Sequence, residues 1–533
     1  MLEDAIDLGI LILRLGGRNL LYSLNQRLNL PPLRTLQRKT SFVKLHPVIG
    51  PVSGAVIERN INDVVIVPRA EAQLTLRGGV SLLIDETALE ESASYMSDSN
   101  SVGGLCWTHS HSIDPTLRTY HSALKLAEAL KEGKVHLGRE LTVVAAHIFG
   151  ADGTYPILAA PTCKSEGVTE MVYVFKTAID AWKTSGAEEK VGPLWTFATA
   201  GDATRRKGGH QLFLSVPLPL TSPLYGTLSN LPGLNLLTGE REITLDFDYK
   251  HVFKRFSTVL RSCNGIHLNN GRCINSTMLH RYLTWVDNVD EKRATALLYP
   301  DDLQDVPRAV ELMSAPFIKI SLSLTEQAIS LSRFAHLLYA CYHNQRRSFI
   351  PNQLYYDSQT LFKNIQQQLD PNAIFCLLDV GDDPIELLFA FQSSAVNYKQ
   401  SLNRLGAARD IGGVYASNPD IMRGPRRLNL SRSEAVDHIS RSTWRGTLFP
   451  GRDEAVQILQ DTRVPASAYD FTHHFSTGSG VDLLCVFGEG KYPSVNDGDD
   501  DEDRSLLASP TTPIPPSAHE AEHDIRHEEA APL

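Results

Sequence analysis

Short apolar runs alternate with amphipathic helical stretches between about residue 61 and residue 261, and this alternation constrains the fold most. An apolar run bounded by turn signals is typical of a buried strand, and strands that alternate with helices indicate an α/β domain. The predicted strands are Val80–Ile84, Gly103–Trp107, Leu141–Ala146 continuing into Pro156–Leu158, Leu194–Ala198 and Ile243–Phe247. Helices are predicted over Val168–Lys183 and from the last strand to about Arg261.

Acidic residues follow two of these predicted strands. Asp85 and Glu86 come directly after the first strand, and Asp202 follows the strand Leu194–Ala198. Such carboxylates converge if the two strands are neighbours in a sheet. Acids at strand ends are also common in α/β proteins without a site, so a purely structural interpretation stays open.

A third acidic position lies in the stretch Ile374–Phe389, where an apolar run ends and a helix is predicted to begin. Asp383 takes the N-cap position, Pro384 the first helical position and Glu386 the third. Asp383 and Glu386 therefore project from one face of the first turn. Two interpretations are open: Glu386 closes a capping box, or the two acids join Asp85 and Asp202 in a site.

Several carboxylates at one point repel one another unless cations neutralise them. Mg²⁺ takes oxygen ligands, and two such ions about 3.5–4 Å apart can clamp the attacking and leaving oxygens of phosphoryl transfer. The acids therefore indicate a metal-dependent nuclease or polynucleotidyl transferase, with Mg²⁺ or Mn²⁺ as cofactor.

Other motifs favour no other reaction class. The chain has no GxxxxGK[ST] and no GxSxG sequence, which gives no support to a Walker-type nucleotide site or to acyl transfer. Its seven cysteines form no CxxC pair, and we expect reduced thiols. The histidines of His109-Ser-His111 and His473-His474 lack Cys/His partners at zinc spacing, so we interpret them as solvated. The stretch 201–209 is either a phosphate-binding segment, through Arg205, Arg206 and Lys207, or an ordinary flexible loop.

The charge of the chain is concentrated at one end. The net charge is −10, and residues 497–533, with eleven acids and two arginines, account for −9 of it. A proline- and acid-rich tail is predicted to be disordered. The near-neutral remainder is expected to bind DNA weakly and without sequence specificity. Acids near the N-terminus, and Arg14 and Arg18 within the best apolar run, predict an intracellular, soluble protein with no secretory signal and no membrane span.

The two ends of the chain show different sequence patterns from its centre. Residues 1–30 show helical spacing interrupted by Gly16-Gly17, and Leu30–Lys39 enters a short basic helix with Arg34, Arg38 and Lys39. A plain helical hairpin and a small helix-turn-helix both fit this pattern. A long helical region is predicted from about 275 to 369, and the chain beyond 410 is predicted to be irregular.

The order of these motifs resembles that of P element-type (THAP-associated) DNA transposases. The stretches that carry the resemblance are Leu82-Leu-Ile-Asp85-Glu86, Ala200-Gly-Asp202, Asp248–Lys254 as DxxHxxK, Asp383–Phe389 as DxxE, and the more general likenesses at Leu30–Leu36 and Asp301–Leu312. The resemblance covers roughly residues 28–410. It implies an RNase H-like core interrupted by a large all-helical insertion.

The resemblance also implies roles for individual residues. Asp85, Asp202 and Glu386 would be the metal-binding DDE triad, with Asp383 as a neighbouring acid. The residues that would be close to the site or structural are Glu86, Asp248, His251 and Lys254. DNA as a partner, a nuclear location and GTP binding by the helical insertion are implied as well, whereas the oligomeric state is left open.

The chain departs from the family pattern in three respects. It begins too late to contain the family's N-terminal zinc-coordinating module, and the segment Phe391–Tyr398 lacks an expected arginine and two glycines. The long interval between Asp85 and Asp202 predicts an insertion near 108–138. We therefore expect a truncated or domesticated transposase derivative with an impaired site. The alternative is a catalytically inactive nuclear protein that reuses the scaffold for DNA or protein contacts.

The sequence predicts six regions. They are a helical region at 1–58, the first part of the core at 59–274, a helical insertion at 275–372, the DxxE helix of the core at 373–410, an irregular region at 411–493 and a disordered acidic tail at 494–533.

Overall fold

The structure is a computed structural model that describes most of the first 300 residues and parts of the remainder. The described ranges are 3–39, 44–74, 78–149, 154–199, 203–231, 234–247, 249–262, 265–267, 273–285, 289–301, 324–345, 395–406 and 441–464, with scattered helical positions between 308 and 389. The predicted acidic tail lies outside these ranges.

A five-stranded mixed sheet forms the centre of the molecule. Its strands are β1 (Val80–Ala88), β2 (Glu140–Ile148), β3 (Thr154–Thr162), β4 (Leu194–Thr199) and β5 (Thr244–Phe247), in the order β3-β2-β1-β4-β5. β1 and β3 are both antiparallel to β2. On the other side of β1 the sheet is parallel, from β1 to β4 and from β4 to β5. The α/β class predicted from the sequence is confirmed.

Helices that follow β3, β4 and β5 pack with the sheet. They are α1 (Val168–Thr184), α2 (Ala203–Phe213) and α3 (Tyr249–Arg261). α1 begins at Gly167, whose backbone N–H donates to the Glu170 carboxylate at 2.9 Å. Its buried residues, among them Val174, Phe175 and Ala178, recur at helical spacing. Each large apolar side chain buried in this way contributes about 1.5–3 kcal/mol.

An N-terminal helical hairpin precedes the core. The helix Glu3–Leu28 is kinked at Gly17, where φ is 73°, and it packs against the helix Leu33–Lys39. Leu36 is fully buried between them, together with Ile10 and Leu21. The first helix was predicted from its apolar spacing, and the second was predicted as a short basic helix.

The described parts of the C-terminal half are helical. The helices are Ser276–Trp285, Glu291–Leu298, Leu324–Gln345 and Arg441–Asp461. The last of these corrects our prediction of an irregular region beyond residue 410. It packs along Leu324–Gln345, and Ser332 donates a hydrogen bond to the Leu448 carbonyl at 2.9 Å. A Cβ at Gly451 would lie 2.6 Å from the Ile329 carbonyl, so glycine permits this close approach.

Two other predictions of local structure are wrong. Gly103–Trp107 is not a strand, because the strand there is only Ser101–Gly103 and the chain turns at Gly104, where φ is +90°. The stretch 201–209 is not an open loop, since Ala203 to Gly209 belong to α2.

Further short elements connect the core. The helical ones are Gly54–Asn60, the π-helix Ile61–Ile66, Val67–Glu71, Ser110–Ser112, Tyr120–Lys131, Ala187–Lys190, Tyr225–Leu228 and Glu240–Glu242. The short strands pair as Ser94–Met96 with Ser101–Gly103, Val216–Pro217 with Leu237–Thr238, and Ile266–His267 with Cys273–Ile274. Among the described helices, none combines the length and the apolar character needed to cross a membrane.

Candidate active site

Asp85 and Glu86 lie near the carboxyl end of β1, beside the end of the parallel strand β4. Ile84 pairs with Thr199, the last residue of β4. On the other side β1 stays paired with β2 as far as Ala88, so the strand runs four residues beyond the predicted end at Ile84. The two acids therefore stand where β4 has ended and only β2 continues, which opens one side of β1 to side chains from α2.

Arg205 of α2 fills this space and bridges the two acids. Its Nη1 lies 3.3 Å from Asp85 Oδ1, and its Nη2 lies 2.9 Å from Glu86 Oε1. The arginine side chain is only 5% exposed, against 22% and 25% for the two acids. Burial raises the pKa of both carboxyls, and the charge of Arg205 offsets part of that rise. One buried guanidinium thus neutralises charge that a metal ion would otherwise balance.

A second, more exposed pair lies next to Glu86. Glu86 interacts with Glu140, the first residue of β2, and the Lys164 ammonium lies 2.7 Å from the Glu140 carboxylate. The local set therefore contains three acids and two cations, a net charge of −1. In this conformation Arg205 occupies the side of Asp85 and Glu86 that faces α2.

Arg206 belongs to a separate buried ion cluster around Asp357. The Asp357 carboxylate lies 3.9 Å from Arg206 Nη1 and 3.8 Å from His210 Nε2, and it accepts a hydrogen bond from Arg255 of α3. Asp357 is 1% exposed. This cluster joins α2, α3 and the helical position 357, so the three basic residues after β4 do not share one role.

The residues predicted to contact phosphate lie in different environments. Arg205 and Arg206 are 4% and 5% exposed and face carboxylates, so in this conformation they do not present their charge to solvent. Lys207 is half-buried in α2, and Arg34 is exposed on the helix Leu33–Lys39. Arg38 and Lys39 lie in the same helix, but their side chains are outside the described part of the structure.

Several predicted site residues fall outside the described ranges. They are Asp202, Asp248, Asp383 and Glu386. Asp202 separates β4 from α2 in the sequence, and Asp248 separates β5 from α3. His251 and Lys254 belong to α3, where Lys254 is half-buried and nothing is described of the His251 side chain.

Two residues close to Glu386 in the sequence, Ile385 and Phe389, are described, and both belong to the central core. Ile385 is fully buried in the main apolar cluster, and Phe389, four residues later, packs against that cluster. After this stretch Val396 forms a parallel bridge with Leu89, and the Glu90 N–H donates to the Val396 carbonyl at 3.0 Å. The chain at Val396, ten residues after Glu386, therefore returns to the end of β1.

Tyr398 fixes the position of this returning segment. Its ring is fully buried, its hydroxyl donates to the Ala159 carbonyl at 2.9 Å, and it accepts from the Val48 N–H at 2.8 Å. Burial raises the pKa of the Tyr398 hydroxyl, with hydrogen bonding to Val48 as an opposing effect.

The ionic partners of the acids were not predicted from the sequence. Arg205 was interpreted as a DNA contact, and neither Glu140 nor Lys164 was singled out. The sequence did contain a feature that could have indicated this contact. Arg205 comes three residues after Asp202, at the start of the helix that follows β4, and β1 is the strand next to β4 in the sheet. A side chain at this helix position can therefore reach the end of β1.

Comparison with known proteins gives little beyond this geometry. No protein-family model and no curated protein matches the chain. Among solved structures, a chain of the Drosophila P element transposase strand transfer complex aligns at 13% identity, over 84% of this chain and 91% of that one, with a TM-score of 0.31. At so low a TM-score a shared fold is not established, so we infer function from the residues themselves.

Proposed function

We propose that the chain derives from a DNA transposase and that its α/β core is RNase H-like, with a site for metal-dependent DNA strand cleavage and transfer. The observation that carries the proposal is the placement of Asp85 at the end of β1, beside the end of β4. The mixed sheet with a helix after β3, β4 and β5 supports it. The burial of Ile385 in the main core gives further support, because Ile385 precedes Glu386 in the DxxE stretch.

In this proposal Asp85, Asp202 and Glu386 hold Mg²⁺ or Mn²⁺. The bound metal would activate the attacking oxygen and stabilise the leaving oxygen of the phosphodiester. Arg205 would act as a counter-charge that keeps Asp85 and Glu86 together before metal binds. Glu86 would retain the guanidinium when Asp85 turns to the metal, since the shorter of the two contacts is the one to Glu86.

Metal-dependent melting tests the triad. Mn²⁺ or Mg²⁺ at about 100 times its Kd would stabilise the wild type by about 2.7 kcal/mol, and Asp85→Asn and Glu386→Gln should lose this response. Asp114→Asn is the matched control, because Asp114 is an exposed acid paired with Arg118. An equal metal response in wild type, Asp85→Asn and Glu386→Gln would contradict the catalytic assignment.

The metal-free behaviour of Glu386 separates a capping role from a metal-binding role. If Glu386 only caps a helix, Glu386→Gln should be nearly neutral and Glu386→Ala should cost about 0.5–2 kcal/mol. If it belongs to the acidic cluster, Glu386→Gln should raise the melting temperature of the metal-free protein, because it removes repulsion. Parallel melts with and without Mn²⁺ measure both effects.

A second function is favoured by the Arg205 bridge: a catalytically inactive protein that uses the scaffold to bind DNA or protein. A guanidinium permanently paired with Asp85 and Glu86 would stabilise the core and exclude a metal. Arg205→Met distinguishes the two cases. The variant should lose about 1–3 kcal/mol in both, because two partly buried acids lose a cation. Only in the enzyme should Mn²⁺ restore that stability and support nicking of plasmid DNA.

DNA binding is expected to be weak and steeply dependent on salt under either function. The slope of log K against log salt is negative, and each phosphate contact that is lost should make it less steep by about one. With Arg205 and Arg206 buried, we expect Arg34→Ala to show this decrease, and Arg118→Ala, an exposed arginine paired with Asp114, to show none. Fluorescence anisotropy over a salt series measures the slopes. Sub-micromolar, sequence-specific binding at physiological salt would contradict this expectation.

A further inference from the structure

Three side chains of metal-ligating types, Cys106, His109 and Cys163, form a compact group beyond the end of β3, and a fourth, His136, lies beside Cys163. Cys106 and His109 come from the turn after Gly104, His136 comes from the turn after the helix Tyr120–Lys131, and Cys163 directly follows β3. The ligand atoms of Cys106, His109 and Cys163 all lie within 4.8 Å of one another. Our sequence-based interpretation of His109 as a solvated histidine without Cys/His partners is therefore wrong.

Three sulfur–nitrogen distances in this group are close to those of a tetrahedral metal site. His109 Nδ1 is 3.4 Å from Cys106 Sγ and 3.6 Å from Cys163 Sγ, and His136 Nδ1 is 3.5 Å from Cys163 Sγ. A tetrahedral zinc ion, with Zn–S of about 2.3 Å and Zn–N of about 2.0–2.1 Å, holds its sulfur and nitrogen ligands about 3.5 Å apart. The three observed separations surround that value.

Hydrogen bonds hold the three segments in place independently of any metal. The Cys106 N–H donates to the His136 carbonyl at 2.8 Å, and the Trp107 N–H donates to the Pro161 carbonyl at 3.0 Å. Gly104 allows the turn into the cluster, since a Cβ there would lie 2.6 Å from the Ser92 carbonyl. The ligands are thus positioned by backbone contacts and not by chance proximity of long side chains.

The ring of His136 is oriented as a ligand requires. Its Nε2 lies 3.1 Å from the Gly133 carbonyl, which can only accept, and its Nδ1 lies 3.5 Å from Cys163 Sγ. A hydrogen bond from the far ring nitrogen to a backbone carbonyl is a usual way in which a metal-binding histidine is fixed. The rings of His136 and His109 are in contact, with centroids 4.1 Å apart.

We propose that Cys106, His109, His136 and Cys163 form a zinc site that ties the segment between β1 and β2 to the end of β3. Two thiolates with two imidazoles select zinc over magnesium or calcium, which prefer oxygen ligands. Cys106, His109 and Cys163 form the compact part of this set. With His136 as the fourth ligand the site would have no open position, which corresponds to a structural role. Cys163 adjoins Lys164, whose ammonium pairs with Glu140 beside Glu86, and the ion therefore anchors one edge of the acidic cluster. The zinc proposal is independent of the proposed function.

The metal content of the full chain tests the site. Protein purified in reducing buffer should contain one zinc ion per chain by plasma mass spectrometry. Cys163→Ser and His109→Gln should each lower this content at least about tenfold, consistent with loss of a zinc ligand. Cys273→Ser and His111→Gln are matched controls and should keep the ion, because Cys273 lies in another sheet and exposed His111 bonds only to the Thr108 carbonyl among the contacts described.

Co²⁺ substitution keeps the test decisive if a variant fails to fold. Wild-type protein stripped of zinc and loaded with Co²⁺ should show the intense d–d bands of tetrahedral coordination and a thiolate charge-transfer band. Added Zn²⁺ should displace Co²⁺, abolish the bands and raise the melting temperature, whereas Mg²⁺ should do none of these. This difference distinguishes the zinc site from the carboxylate site. Absence of these bands after Co²⁺ is added to the zinc-free wild type would overturn the proposal. So would a Cys106–Cys163 disulfide in peptides from protein that was isolated without reductant and alkylated before any reduction.

Discussion

Replacing Asp357 with alanine is expected to lower the free energy of unfolding by about 3–5 kcal/mol, the range measured when one partner of a buried ion pair is removed. Asp357 is almost fully buried and faces Arg206, His210 and Arg255. Without its carboxylate, the cationic groups of α2 and α3 would repel one another in a space that water reaches poorly. Urea unfolding of wild type and variant measures the difference, and Asp114→Ala, at an exposed acid, should leave the midpoint unchanged.

The same carboxylate should make the protein sensitive to acid. Burial raises the pKa of Asp357, but Arg255, His210 and Arg206 lower it further, and the result is a pKa of about 2 against the usual 3.8. Because the folded-state pKa is depressed, the stabilisation is complete above about pH 4 and is lost as the pH falls towards 2. Linkage gives a loss of about 2–3 kcal/mol over that interval.

The Asp357→Asn variant isolates this contribution. It should be less stable than wild type at pH 5 and approach it near pH 2, so the two stability curves converge in acid. Curves that stay parallel from pH 5 to pH 2 would mean that Asp357 does not titrate in the folded protein as described.

Local sequence patterns were sufficient to predict most of the strands and helices of the core. β2, β3 and β4 and helix α1 were predicted within a few residues, because each is a buried apolar run or a clear helical repeat bounded by turn signals. The position of Asp85 near the end of β1 followed from the same pattern. Gly103–Trp107 was misassigned because its apolar character reflects burial, whereas Gly104 takes a left-handed turn that a strand does not allow.

Local sequence patterns could not predict contacts between residues that are far apart in the sequence. Arg205 and Asp85 are 120 residues apart in the sequence, and nothing local distinguishes an arginine that will be buried in an ion pair from one that faces DNA. The prediction of an irregular region beyond residue 410 failed for another reason. Pro450, Gly446 and Gly451 oppose helix formation, yet Arg441–Asp461 is helical because it packs along Leu324–Gln345.

The proposed zinc ligands were not predicted from the sequence for a third reason. Cys106 and His109 are three residues apart, but His136 and Cys163 follow at intervals of 27 residues, on separate elements. A search for compact CxxC pairs misses such a set. Only the antiparallel register of β2 with β3, and the turns beside them, brings the four side chains together.

The largest effect of alkaline pH is expected at Lys363. Its side chain is fully buried, and Nζ donates hydrogen bonds to Asn235 Oδ1 and to the Leu237 carbonyl, the latter at 2.7 Å. Burial lowers the pKa of the ammonium from 10.5 to about 7. The unfolded chain therefore binds a proton between pH 7 and pH 10.5 that the folded chain does not bind.

Stability should consequently rise with pH over that window. The cost of burying the charged form is complete below about pH 7 and disappears as the unfolded lysine deprotonates, a change on the order of 5 kcal/mol. Lys363→Met removes the proton and should flatten the curve, whereas Lys183→Met, at an exposed lysine on α1, should retain the wild-type slope. Guanidinium unfolding of wild type, Lys363→Met and Lys183→Met at pH 7, 8.5 and 10 gives the slope of stability against pH for each protein. A wild-type curve as flat as that of Lys363→Met would show that Lys363 keeps its ordinary pKa, and hence that water or a counter-charge reaches its ammonium in the folded protein.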